Sequence, residues 1–103
     1  MIDEAIDTIK AHIVRTPGVL GGKPRIAGHR IAVQHVVVWH DRMGMSVDDI
    51  ANEYGLSPAD IHAALAYYHD HQDEINTAIR AEEMFVTEMQ QRYPSRLKAK
   101  LGG

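Results

Sequence analysis

Cysteine is absent from the chain, which excludes a disulfide framework, a thiol nucleophile and zinc sites built on thiolates. No apolar run is long enough to span a bilayer: the longest, Ile31 to Trp39, is interrupted by Gln34 and His35. Acidic residues are missing between Thr8 and His40, where the charges are Lys10, Arg15, Lys23, Arg25 and Arg30. Bases are scarce in the next segment, where Arg42 stands alone against Asp48, Asp49, Glu53, Asp60 and Asp70. The basic sign returns after Arg92 with Arg96, Lys98 and Lys100. Such segregation speaks to partners rather than to fold. Internal repeats and low-complexity tracts are lacking too. What remains is ordinary for one globular domain: 103 residues, 45% hydrophobic and 24% charged, with a formal net charge of −3. The acidic, amphipathic start MIDEAIDTIK does not read as a signal or transit peptide, so a soluble cytoplasmic protein with no membrane partner is expected.

Ile2, Ala5, Ile6 and Ile9 fall at helical spacing and predict a short helix over residues 2–12. HIVRT is then extended as far as Thr16-Pro17-Gly18, and KPRIAGHRIAV reads as two strand pieces around a turn at Ala27-Gly28. From Val33 the period becomes helical. Val33, Val36, Val37, His40 and Met43 share a face that Gly44 should end as a left-handed cap. Ser46 with Asp49, and Ser57 with Pro58 and Asp60, mark two further helix starts, separated by Gly55. The last of these helices can continue through Ile75 and Ile79 with a kink. Residues 81–93 form another amphipathic stretch, closed by Tyr93-Pro94, and a polar tail comes after it.

The segment GMSVDDIANEYGLSPADIHAAL therefore has the spacing of a helix-turn-helix. The fold class expected is mainly α, a homeodomain-like or winged-helix-like bundle with a short N-terminal β-arm or hairpin. Residues 1–80 would hold this domain and its arm, and residues 81–103 a C-terminal helical extension with a basic tail.

Enzymatic chemistry finds little support. A phosphate-binding loop needs four residues between its first glycine and the Gly-Lys pair, then Ser or Thr and a helix. Gly18 and Gly22-Lys23 enclose three, Pro24 comes next, and the segment after it is extended. His69 and His71 lie on different sides of a helix and cannot readily share an ion with His62, so neither a metal nor any other cofactor is expected. Ser46 and Ser57 are accounted for as caps and Ser95 lies in the tail, which leaves no nucleophile. DNA is a sharper alternative, but the would-be recognition helix PADIHAALAYYHDH contains no Lys or Arg. Any DNA contact would fall to Lys23, Arg25 and Arg30 in the glycine-rich arm, doubled by dimerisation.

The stretches PGVLGGKPRIAGHRIAV, GMSVDDIANEY and DIHAALAYYHDHQDEI resemble the bacterial domain-of-unknown-function family 433 across residues 12 to 80. His29 stands where that family usually has threonine. The resemblance implies a small helix-turn-helix-like protein, often dimeric, that acts as the antitoxin of a type II toxin–antitoxin pair. Its partner would be a PIN-like ribonuclease toxin, with autoregulation through promoter DNA. A DNA-binding transcriptional regulator without a toxin is the alternative.

Two sets of interface residues are assigned on this basis. A homodimer is expected through Val33, Val36, Val37, Trp39 and Tyr68, because the aromatic residues and methionines exceed the needs of one small core. Since PIN-like nucleases hold metal ions in a carboxylate cavity, the toxin-binding groups are assigned to Arg92, Arg96, Lys98 and Lys100, with the arm as the competing inhibitor.

Overall fold

The computed structural model describes residues 12–93. The expected helix over 2–12 lies almost wholly outside them, as does the polar tail. The described chain runs through strand β1 (Ile13–Val14), a 3-10 turn (Leu20–Gly22), strand β2 (Arg25–Ile26) and helices α1 (Val33–Val37), α2 (Val47–Tyr54), α3 (Pro58–Asp70) and α4 (Gln72–Arg92). The mainly helical class and the short N-terminal hairpin are as expected. The strand partner differs, however. β2 pairs antiparallel with β1, Ile13 opposite Ile26, and only a single bridge joins Arg25 to Ala32 across the Ala27-Gly28 turn. The turn itself closes through His29 N–H to the Ile26 carbonyl at 3.1 Å.

The helix starts arise from local hydrogen bonding. Ser46 accepts from the Asp49 N–H at 3.0 Å and Ser57 from the Asp60 N–H at 3.1 Å, and each acid side chain reaches back to its serine N–H. At α1, which lacks such a residue, His35 Nδ1 accepts from the Ala32 N–H at 3.2 Å. α2 ends at Gly55, whose φ of 67° and ψ of 33° are left-handed, a conformation that a Cβ penalises. Gly44 likewise has positive φ.

Two elements depart from the periodicity. α1 widens into a π-helical turn over Val38–Arg42, with Met43 N–H bonded to the Val38 carbonyl at 3.0 Å. One extra residue in the turn rotates the residues after it, so Met43 is 63% exposed instead of sharing the Val33 face. The second departure lies at His71, whose φ of −135° and ψ of 40° end α3. α4 then runs without interruption through Arg80 and Ala81, where the periodicity had suggested a new segment.

Ile26, Val33, Val36, Ile50, Ile61 and Ile75 are buried around α3, which packs against α1, α2, α4 and both strands. The arm is strapped to this core by His12 to Asp60 at 2.6 Å and by Arg15 to Glu74 and to the Tyr67 hydroxyl. Past Ile79, no residue of α4 is buried. No helix among the described residues is long and apolar enough to cross a membrane.

Candidate functional site

The glycine-rich arm is built from consecutive turns. Pro17 and Gly18, the latter at φ 83°, occupy the corners of a turn closed by Val19 N–H to the Thr16 carbonyl at 3.0 Å. Inside this frame the Arg25 guanidinium donates to the His29 carbonyl at 2.9 Å, more weakly to the Ile26 carbonyl at 3.4 Å, and to the Thr16 hydroxyl at 3.1 Å. Its Nε is buried. Arg25 is thus engaged as a strut of the arm, because three acceptors of the loop converge on its fork. Lys23 and Arg30 are exposed.

α3, in the recognition-helix position, is the central helix of the bundle and touches the other three. Its exposed row includes Ala59, His62, Ala66, His69 and Asp70, without a cation. Burial pushes the Asp60 carboxyl up, but hydrogen bonds from His12 and Ser57 outweigh it and hold the group below its ordinary range. Glu74 is lowered chiefly by the Arg15 hydrogen bond, and Arg15 is raised in return. Both contacts act as clamps between arm and helices. Among the described residues no group of three or more His, Asp or Glu gathers in a metal-holding arrangement.

A concavity lies elsewhere, between α1 with its π turn and the projecting part of α4. It is an open groove of about 540 Å³ lined by His35, Val38, Trp39, Ile79, Glu82, Glu83, Val86 and Thr87. Trp39 stacks on Tyr54 with ring centroids 3.7 Å apart and planes 5° from parallel, which fixes one wall. The acidic edge is anchored as well. Gln34 donates to Glu82 at 2.6 Å and Arg42 pairs with Glu83. The groove is apolar in its walls, with Glu82 and Glu83 at its edge.

The structure redistributes the residues expected at interfaces. Val33, Val36 and Val37 are 0–2% exposed and fill the protomer's own core, so they are not available to a second copy. Trp39 and Tyr68 are half-buried, Trp39 on Tyr54 and Tyr68 through its hydroxyl to Asn76 at 2.9 Å. Arg92 is exposed in the last turn of α4, while Arg96, Lys98 and Lys100 lie outside the described residues. Sequence reasoning missed the groove. Its signal was the spacing of Ile75, Ile79, Glu82 and Val86 along one side of α4, which continues past the last buried residue.

The model of a protein family of unknown function, DUF433, matches residues 13–68. Among solved structures, the chain is similar to the crystal structure of a DUF433 member protein from Anabaena variabilis. That chain is 31% identical, with a TM-score of 0.64 over 77% of this chain and 81% of its own. No curated protein matches. The family match runs from β1 to Tyr68 in α3, so α4 lies beyond it.

Proposed function

The chain belongs to the DUF433 family, and from that premise we propose that it is a non-enzymatic antitoxin that binds and neutralises a PIN-like ribonuclease. The observation that carries this reading is the projecting part of α4, with an open apolar groove on one side and the exposed Arg92 at its end. A helix standing off a globule has little packing of its own to justify it, and a partner that fills the groove supplies that packing. Arg92, continued by Arg96, Lys98 and Lys100 in the sequence, would pair with the carboxylates that the nuclease otherwise uses for metal.

Protein binding is favoured over the alternative of a DNA-binding regulator by the surface of α3. Phosphate contacts by Lys and Arg supply most non-specific affinity for DNA, and the exposed row of α3 has neither. With Arg25 engaged inside the arm, Lys23 and Arg30 are left for any autoregulatory DNA contact.

The test is coexpression with a PIN-like nuclease encoded in an adjoining reading frame, then copurification and ribonuclease assay. The expected result is a stable, inactive complex. Val86→Asp should release the nuclease, and deletion of residues 94–103 should restore its activity. A fully active nuclease that elutes separately from the intact chain would overturn the proposal.

A further inference from the structure

The side of α4 next to the groove, which meets it at Glu83 and Thr87, is also uncovered. Met84 is 72% exposed and Phe85 60% exposed, large values for side chains of this size. Met84 stands at the centre of a face whose composition mirrors itself. Four residues to either side lie Arg80 and Glu88, three to either side Ala81 and Thr87, and seven to either side Thr77 and Gln91. All of them except Thr77 line one shallow concavity. Arg80 and Glu88 are about 12 Å apart along the axis and cannot pair with each other. Neither makes an ion pair among the described residues, and the Arg80 guanidinium reaches only the Thr77 hydroxyl at 3.4 Å.

We infer that this face of α4 binds the same face of a second copy, antiparallel, about a two-fold axis passing beside Met84. A two-fold interface is self-complementary, so a residue n positions before the axis meets the residue n positions after it in the other copy. Arg80 of each copy then faces Glu88 of the other, twice over. Thr77 faces Gln91, small Ala81 faces Thr87, and the two Met84 side chains meet at the centre with Phe85 beside them. A face with both signs placed symmetrically about an apolar centre is complementary to itself in antiparallel register and in no other orientation. Parallel pairing would set Arg80 against Arg80 and Glu88 against Glu88. The contact area of one helix face is small, so the dimer is concentration-dependent. Its central residues Arg80, Met84, Phe85 and Glu88 lie outside the groove and, of the paired residues, only Thr87 borders both, so the dimer stands whether or not the groove takes a nuclease.

Sedimentation equilibrium of the full chain over a wide concentration range reads this directly. The wild type should self-associate to a dimer and no further. Met84→Asp, which places two carboxylates together on the axis, should raise the dissociation constant by about tenfold or more. Arg80→Glu and Glu88→Arg should each weaken the dimer, and the double variant, in which the charges are exchanged, should recover wild-type affinity to within about twofold. These residues are exposed, and circular dichroism of each variant establishes that the fold is retained. A wild type that stays monomeric at the highest concentration, or a dimer indifferent to Met84→Asp, would overturn the inference. So would failure of the exchanged variant to recover.

Discussion

Arg25 illustrates how a side chain's role is decided by what surrounds it. A basic residue in a glycine-rich arm suggests a phosphate contact, yet its fork satisfies two carbonyls and a hydroxyl of the arm itself. Arg25→Ala should therefore cost about 1–3 kcal/mol of stability, measured by urea unfolding, since the part-buried His29 carbonyl and Thr16 hydroxyl lose a charged donor. Lysine, with its single point charge, should not restore it. Arg30→Glu, on an exposed side chain, should leave stability within about 0.5 kcal/mol. Asp60 and Glu74 contribute to stability against acid. Both folded pKa values lie below the unfolded ones, so their stabilisation is present above about pH 4 and is lost as pH falls through the folded values. Thermal melts between pH 6 and pH 3 should show this decline at roughly the unfolded carboxylate range and below. Asp60→Asn should flatten it; an unchanged slope in that variant would show that the clamp to His12 contributes nothing.

At the scale of elements, α2 and α3 were legible because their ends are local events. A serine, an acid three positions on and a glycine at the far end specify hydrogen bonds that close within one turn. Ser57→Ala should accordingly destabilise the chain by about 1 kcal/mol. Gly55→Ala should cost about 1–2 kcal/mol through its left-handed φ, because nothing lies within 4 Å to crowd an added Cβ. Chemical denaturation of the two variants separates these effects from packing. The π turn was not legible, and the break at His71 was legible only as a kink without a position. The first places Trp39 on Tyr54, and the second lets the Tyr68 hydroxyl reach Asn76 across the junction. No short window of sequence contains either pair in a recognisable pattern.

For the whole molecule, α4 with its two uncovered sides is the organising feature. If one side binds a second copy and the other a nuclease, the assembly should contain two of each. Light scattering of the purified complex should report that stoichiometry, and Met84→Asp should reduce it to one of each without abolishing inhibition. By itself the sequence determined the starts of α1, α2 and α3, the glycines at Gly44 and Gly55, the apolar face of α1 from Val33 to Val37 and the family, since all of these rest on short-range pattern. Only the tertiary structure decided which surfaces those elements leave open. Val33, Val36 and Val37 pass from expected interface to protomer core because α3 and α4 close over them. Met84 and Val86 sit on the same helix as buried Ile75 and Ile79, yet stay exposed because the globule ends before the helix does. Periodicity describes which side a residue takes on its own helix. Whether anything covers that side depends on contacts between residues far apart in the chain.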